Sequence, residues 1–156
     1  MRPVAAVEML DHSMKLELDL RMEASAISEM AKATADDPNF RLPAVNWPLT
    51  GRQVLTTEWI EGTPISDIAS LRAKGFDLKA LGDNIIQSFL RHAIRDGFFH
   101  ADMHQGNLFV DAKGHLVVVD FGIMGRLSEG DRLFLAEILY GFITRDYERV
   151  SQVHFD

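Results

Sequence analysis

The sequence contains no cysteine, which excludes disulfide bonds and thiolate metal sites. It also lacks an apolar run of the roughly 18 to 20 residues that a membrane-spanning helix requires. Arg2 is not followed by the apolar core of a secretory signal. The absence of cysteine is typical of a reducing compartment, and we therefore expect a cytoplasmic domain.

Positive charge is scarce and scattered along the chain. Lys and Arg number 16 against 23 Asp and Glu, which gives a net charge of −7. Nucleic-acid binding depends on a basic surface that neutralises phosphates, so a nucleic-acid partner is not expected. The remaining composition, 47% hydrophobic and 25% charged, is that of an ordinary globular domain with a core.

Hydrophobic periodicity and turn residues predict an α+β fold. Pro3 suits a first helical turn, and a capping box is expected where Ser128 is followed by Asp131. Asp77 is a candidate N-cap of a helix that stops at Gly97. The predicted helices cover residues 3–33, 65–74, 77–96, 128–145 and 147–154. The predicted strands cover residues 45–47, 54–60, 108–110 and 116–119, with a connector at 61–64 and a polar loop at 98–107.

Two polar loops carry the chemistry that the sequence indicates. Asp102 and Asn107 lie five residues apart on the loop after a long helix, and Asp120-Phe121-Gly122 follows an apolar strand. Magnesium prefers hard oxygen ligands, which the Asp120 carboxylate and the Asn107 amide supply. Asp102 would then lie beside the acceptor hydroxyl as a base or orienting group. The combination predicts a phosphotransferase.

Two other interpretations of the same residues remain open. A single loop aspartate is most often a turn former, although that does not explain the whole pattern. His100 and His104 together with Asp102 suit zinc, but no third well-spaced ligand is apparent. In the phosphotransferase interpretation His100 instead holds the backbone of the loop.

With these residues in place, the chain resembles the atypical kinase family called ABC1, ADCK or UbiB over nearly its whole length. The family's catalytic loop is similar to residues 99–108, although Gln105 stands where the family usually has proline. Its bacterial ubiquinone-biosynthesis branch is the most similar. The other matching segments are Glu17-Leu18-Asp19, Glu23-Ala24, the hinge Glu58–Pro64 and Val119–Gly122.

The resemblance implies a protein-kinase-like fold with a partial N-lobe and most of a helical C-lobe. Residues 1–61 would form that partial N-lobe, a helix plus two strands, and residues 62–156 the C-lobe. It further implies ATP or ADP and Mg²⁺ as cofactors. The implied site residues are Asp102, Asn107 and His100 for catalysis, Asn107 and Asp120 for metal, and Glu23, Glu58, Ile60 and Asp120 for nucleotide.

Three acidic residues of the first predicted helix also match the pattern of this family. Asp19 and Glu23 lie four residues apart and would share a helical face, whereas Glu17 points elsewhere. The resemblance implies that Glu23 pairs with a phosphate-binding lysine, and that Glu17 and Asp19 face an N-terminal extension. Without the resemblance, a solvated acidic face near Lys15 and Arg21 would be the simpler interpretation.

Some family features are missing from these 156 residues. They are the Lys-x-Gly-Gln extension, the alanine-rich nucleotide loop and the strand that carries the lysine. We therefore expect a piece of a longer protein that binds nucleotide poorly by itself. The resemblance implies that the longer protein meets ubiquinone-biosynthesis enzymes and membrane lipid through other parts, with attachment to the inner membrane.

Three functions remain as alternatives. The first is an atypical kinase or ATPase that supports ubiquinone biosynthesis. Ser128 follows Gly122 by six residues, which leaves no room for a long activation segment that presents a peptide substrate. The second is a small-molecule kinase of the aminoglycoside or choline kinase type. The third is a non-catalytic pseudokinase scaffold for quinone-synthesis enzymes.

Overall fold

The computed structural model describes Val7, Met9 and residues 18–155, and these form the α+β fold that the sequence predicts. The helices are α1 (Leu20–Ala33), α2 (Ile68–Ala73), α3 (Leu78–Arg91), α4 (Glu129–Thr144) and α5 (Tyr147–Phe155). The strands are β1 (Phe40–Arg41), β2 (Gly62–Pro64), β3 (Phe98–His100), β4 (Leu108–Asp111), β5 (Leu116–Val118) and β6 (Met124–Arg126). In the described part of the chain, no helix combines the length and apolarity needed to cross a membrane.

A four-stranded sheet places the two polar loops side by side. Its strand order is β1-β5-β4-β2, with β1 parallel to β5 and the other neighbours antiparallel. The 102–107 loop enters β4, and Asp120 follows the end of β5. Because β4 and β5 are antiparallel, these two points meet, and the Val119 amide donates to the Asn107 carbonyl at 2.9 Å.

The main hydrophobic core lies between α1, the sheet and the short β3–β6 pair. Ile27 and Met30 are three residues apart on α1 and are both buried, at 2% and 1% exposure. They belong to one cluster with the strand residues Leu116 and Val118 and with Phe121. The core thereby packs α1 against the segment that carries Asp120.

The single helix predicted over residues 3–33 is wrong as a continuous element. Val7 and Met9 are helical, but Leu18 lies in a turn and a new helix begins at Leu20. Asp19 is its N-cap, and the carboxylate accepts a hydrogen bond from the Arg21 amide. An aspartate that bonds nearby backbone amides in this way favours a helix start over a helix interior.

The later helices are confirmed together with their end signals. Asp77 caps α3 by accepting from the amides of Lys79 and Ala80. The helix continues through a π-helical turn at His92–Asp96 and stops at Gly97, whose φ is 65°. A Cβ at Gly97 would lie 2.7 Å from a carbonyl oxygen, so both the conformation and the space require glycine.

The N-terminal capping signal of α4 is confirmed as well. Ser128 accepts from the Asp131 amide, and the Asp131 carboxylate accepts from the Ser128 amide, which completes the capping box. The preceding hairpin of β4 and β5 turns at residues 112–113, between the two strands predicted at 108–110 and 116–119.

The strand predictions at 45–47 and 54–60 are wrong. The two segments are joined by the isolated pair Val45–Thr57, and the isolated pair Gly51–Val54 closes the turn between them, so neither segment forms a strand. Residues Trp47–Leu49 form a 3-10 turn that contains Pro48, and proline has no amide to donate to a strand ladder.

Two segments predicted as irregular are instead extended. The predicted connector contains β2, which pairs with β4 and places Thr63 opposite Val110. The polar loop predicted from residue 98 begins as β3, which pairs with β6 and places Phe99 opposite Gly125. Both pairings join residues that are distant in the sequence, so no local pattern announces them.

Candidate active site

His100 joins the two polar loops through its imidazole ring. The Nε2 atom lies 2.5 Å from the carbonyl oxygen of Asp120, and Nδ1 accepts a hydrogen bond from the Asp102 amide at 3.1 Å. A carbonyl oxygen only accepts, so the ring proton is on Nε2. At 1% exposure the residue is fully buried. The ring therefore holds the backbones of the predicted base and the predicted metal ligand at a fixed spacing.

The loop from Asp102 to Asn107 is folded by its own hydrogen bonds. The Asp102 carbonyl accepts from the His104 amide at 2.8 Å and from Nδ2 of Asn107 at 3.3 Å. The Asn107 amide donates to the His104 carbonyl at 3.0 Å. Because Nδ2 faces the loop, the Oδ1 atom of Asn107 is the end of the amide left for a ligand.

Asp120 has an unusual backbone conformation for a residue with a side chain. Its φ is 65°, in the left-handed region, and its Oδ1 atom accepts from the Gly122 amide at 3.2 Å. A left-handed non-glycine residue costs about 1 to 2 kcal/mol, and aspartate tolerates it through such local bonds. Strain of this kind persists where the surrounding structure enforces it. Here His100 fixes the carbonyl while the carboxylate stays exposed.

Glu23 connects α1 to the same segment. Its Oε1 atom accepts a hydrogen bond from the Phe121 amide at 3.0 Å. The Phe121 side chain is 1% exposed and contacts His100 edge to face, with the ring centroids 5.1 Å apart. Sequence reasoning assigned Glu23 to a lysine and missed this amide, because a backbone partner leaves no residue-type signal.

The oxygen atoms at this site suit a hard divalent cation. Among the described residues, no hydrogen bond engages Oδ2 of Asp120 or Oδ1 of Asn107. Magnesium commonly takes one or two protein oxygens and completes its shell with phosphate and water, so this donor set fits Mg²⁺.

The zinc interpretation fits the geometry less well. Both ring nitrogens of His100 are engaged by the backbone, so neither is available to a metal. Over Val7, Met9 and residues 18–155, no group of three or more His, Asp or Glu side chains is placed to hold a metal ion.

The acidic signature before Glu23 is described in part. Asp19 accepts from Nε and Nη2 of Arg21 at 2.8 and 2.6 Å, and Arg52 lies 3.9 Å away. The Arg21 hydrogen bonds lower the pKa of Asp19 to about 2. The predicted signature residue Glu17 lies outside the described residues. Asp19 is the N-cap and precedes the first helical residue. The prediction that Asp19 and Glu23 both lie within the helix therefore holds for Glu23 alone.

The predicted hinge residues lie apart from the two loops. The Glu58 carboxylate forms an ion pair with Arg41 and accepts from the Ala44 amide at 3.3 Å. Ile60 is partly buried next to β2. No described contact joins Glu58 or Ile60 to Asp102, Asn107 or Asp120, so their nucleotide role stays a prediction.

A cleft of about 370 Å³ lies between α1 and the β3–β6 pair. Its walls mix apolar side chains, such as Phe98 and Phe121, with charged ones, which include the Glu29–Arg126 ion pair at 2.6 Å. Neither Asp102 nor Asn107 lines it. Glu23 and Gly122 do line it, so the cleft adjoins the Asp-Phe-Gly segment on the side of α1.

Comparison with known proteins identifies the family of this chain. The model of the ABC1 atypical kinase-like domain matches residues 1–154. The chain belongs to this family. Its protein-kinase-like fold is confirmed by the complex structure of Rv3197–erythromycin from Mycobacterium tuberculosis, with a TM-score of 0.68 and 26% identity. The match covers 95% of this chain and 37% of that chain.

Curated relatives in this family carry the name "Probable protein kinase UbiB". The Marinobacter nauticus protein is 37% identical over 158 residues, which is 99% of this chain and 29% of the relative. The Histophilus somni protein is 36% identical over 160 residues, which is 100% of this chain and 29% of the relative. The chain thus spans less than a third of the length of these relatives.

Proposed function

We propose that this chain supplies the catalytic and metal-binding loops of an ATP- and magnesium-dependent atypical kinase or ATPase that supports ubiquinone biosynthesis. The observation that carries the proposal is the double hold on the Asp-Phe-Gly segment. His100 binds the Asp120 carbonyl and Glu23 binds the Phe121 amide, so this segment is fixed beside Asp102 and Asn107. Electrostatic catalysis of phosphoryl transfer depends on such fixed positions.

In this proposal each polar side chain has one task. Asp102 orients or deprotonates the attacking oxygen, while Asn107 and Asp120 hold Mg²⁺, which neutralises charge on the phosphates. His100 positions both loops, and Glu23 contacts the phosphate-binding lysine of the longer protein. Glu58 and Ile60 contribute to the nucleotide side of a hinge, with the lobe boundary between residues 61 and 62.

The proposed substrate class and cellular location rest on the family and on the length of one segment. The segment between Gly122 and Ser128 is short and is occupied by β6, which disfavours a peptide substrate and supports ATP hydrolysis or small-molecule phosphorylation. The UbiB name of the relatives supports a link to ubiquinone enzymes. We further propose a cytoplasmic domain whose longer chain reaches the inner membrane through other residues.

Two alternatives make different predictions. A small-molecule kinase of the aminoglycoside or choline kinase type would share the same loops and phosphorylate a soluble acceptor. A pseudokinase scaffold would bind quinone-synthesis enzymes without catalysis, and it would tolerate replacement of Asp120.

Replacement of Asp120 tests the proposal directly in the full-length protein that contains these residues. Asp120→Asn should lower magnesium-dependent ATP hydrolysis by roughly 100-fold or more, because a ligand charge is lost while the side-chain shape remains. Phosphate release at saturating ATP and varied Mg²⁺ measures the effect. Asp83→Asn is the control, since the interaction of Asp83 in the described part of the chain is an exposed ion pair with Lys79 at 2.6 Å. Full activity in Asp120→Asn would favour the scaffold.

A further inference from the structure

His104 has a defined ring orientation although its side chain is 56% exposed. Its Nδ1 atom accepts a hydrogen bond from the Gly106 amide at 3.0 Å. An accepting nitrogen carries no proton, so in the neutral ring the proton is on Nε2. The ring therefore presents an N–H donor at the end opposite Gly106.

The donor end of His104 faces the predicted base. Nε2 lies 3.6 Å from Oδ2 of Asp102. This separation is longer than a hydrogen bond, and contacts of this kind are often long in an unliganded site and shorten when substrate binds. Among the described residues, no hydrogen bond or other ion pair involves the Asp102 carboxylate, which leaves it open to this approach by His104.

Gly106 provides the room for this orientation. A Cβ built on Gly106 would lie 2.8 Å from Cε1 and 3.0 Å from Nδ1 of His104. A separation of 2.8 Å is shorter than real Cβ contacts, so a residue with a side chain at 106 would require the His104 ring to shift. The position of the His104 ring therefore depends on the absence of a side chain at residue 106.

We propose that His104 is a positioning residue that orients the Asp102 carboxylate for phosphoryl transfer, an inference that rests on the proposed function. The Nε2 donor binds Oδ2 when substrate is present, which leaves Oδ1 of Asp102 for the attacking hydroxyl or water. Without this donor the exposed carboxylate rotates among orientations, and a misplaced catalytic group lowers the rate.

Two substitutions separate this role from loop stability, because each keeps one end of the imidazole. His104→Asn places an oxygen near the Nδ1 position, which still accepts from Gly106, but it lacks the donor toward Asp102. His104→Gln places an amide N–H near the Nε2 position and gives up the acceptor for Gly106. Both are compared with wild type in the full-length protein.

The activity and stability of the two variants should rank in opposite orders. His104→Asn should lower kcat about 10-fold or more while the KM for ATP stays within about twofold, and its melting temperature should match wild type. His104→Gln should retain at least about half of kcat but melt at a lower temperature. The readouts are steady-state ATP hydrolysis and thermal unfolding.

The other outcomes overturn the inference in distinguishable ways. Retained kcat in His104→Asn, or parallel losses of kcat and stability in the two variants, would reduce His104 to a structural turn residue. If wild type is active in that case, the proposed function is still supported and only the positioning role of His104 is excluded. If wild type itself hydrolyses no ATP and phosphorylates no acceptor, the proposed function fails and the positioning role fails with it.

Discussion

Glu23 hydrogen-bonds α1 to the backbone directly after Asp120. Its carboxylate accepts from the Phe121 amide across 98 residues of sequence. The Phe121 side chain is almost fully buried, so this amide has little access to water as a replacement partner. A buried amide without an acceptor costs about 1 to 3 kcal/mol, which makes Glu23 a stabilising residue independently of catalysis.

Substitutions at Glu23 should therefore depend on whether an acceptor remains. Glu23→Ala should lower the free energy of unfolding by about 1 to 3 kcal/mol, whereas Glu23→Gln keeps an oxygen and should lose about 1 kcal/mol or less. Urea unfolding and hydrogen exchange at the Phe121 amide measure both effects. Glu29→Ala is the control on the same helix, because it breaks an exposed ion pair with Arg126 worth about 0 to 1 kcal/mol. Equal losses for Glu23→Ala and Glu23→Gln would contradict the hydrogen bond.

At the scale of elements, a buried polar cluster joins the end of α1 to the π-helical turn that precedes β3. His92 Nε2 contacts Oδ2 of Asp37 at 2.9 Å, and Arg95 Nη1 donates to Oδ1 of Asp37 at 2.6 Å. The side chains of His92 and Asp37 are 1% and 3% exposed. Phe40 packs edge to face on His92 at 4.6 Å. The cluster therefore anchors the π-helical turn from which the chain continues into β3 and His100.

The pH dependence of stability that this cluster causes has a definite direction. Burial lowers the pKa of His92 against the opposing effect of Asp37, so the ring is neutral in the fold. Burial alone would raise the pKa of Asp37, but the hydrogen bonds from Arg95 and His92 outweigh it, and the pKa is lowered. The contribution of His92 is complete above its unfolded value near 6.5 and is lost as the pH falls below it. The contribution of Asp37 is lost only below its unfolded value of 3.8.

Between pH 7.5 and 5.5 the His92 effect should dominate this cluster. Wild type should lose stability toward pH 5.5, by at most about 1.4 kcal/mol per pH unit from this group. His92→Gln should be less stable at pH 7.5 but should depend less on pH. Urea midpoints at the two pH values give the comparison. Ser88→Ala, a fully buried and non-ionisable site on α3, should shift the midpoint equally at both. An unchanged pH dependence in His92→Gln would exclude His92 as the source.

At the scale of the whole molecule, the helices α4 and α5 carry several exposed apolar side chains. Ile143 is 79% exposed and Leu133 is 63% exposed, and Phe142 and Tyr147 contact each other at the surface with their ring centroids 6.2 Å apart. Exposed apolar patches of this kind in soluble proteins mark contact surfaces or sites of association.

This surface should make the 156-residue chain self-associate as its concentration rises. Sedimentation velocity should show larger species at high concentration, and Ile143→Lys should shift the distribution toward monomer. Ile86→Lys is the control, because Ile86 is 60% exposed but lies on α3. If the two substitutions act alike, the association does not depend on the α4–α5 surface.

The sequence predicted the elements whose ends are encoded locally. Asp77, Gly97 and the pair Ser128 and Asp131 each signal a helix boundary through their own backbone contacts, and each was found where expected. The strands β1, β3 and β6 were missed because two or three residues have no periodicity and their partners are distant in the chain. The break at Asp19 was missed because the surrounding residues favour a helix, and only the cap contact shows the start.

The candidate site was predicted in residue type but not in architecture. The spacing of Asp102, Asn107 and Asp120 indicates chemistry directly, and His100 was expected to hold the backbone of its own loop. The particular backbone partners in the Asp-Phe-Gly segment, the Asp120 carbonyl for His100 and the Phe121 amide for Glu23, were not expected. Backbone groups are the same at every residue, so their participation cannot be inferred from composition or spacing. The roles of these residues in catalysis and in nucleotide and metal binding stay predictions.

The bridge made by His100 also limits which residues this position tolerates. The ring donates from one end and accepts at the other, across a rigid plane that sets the distance between the Asp120 carbonyl and the Asp102 amide. Asparagine and glutamine carry a donor and an acceptor on the same end of the side chain, tyrosine carries both on one oxygen, and tryptophan only donates. No other standard side chain spans the two loops in this way. In protein engineering, residue 100 should therefore be left unchanged, because no substitution there keeps both contacts.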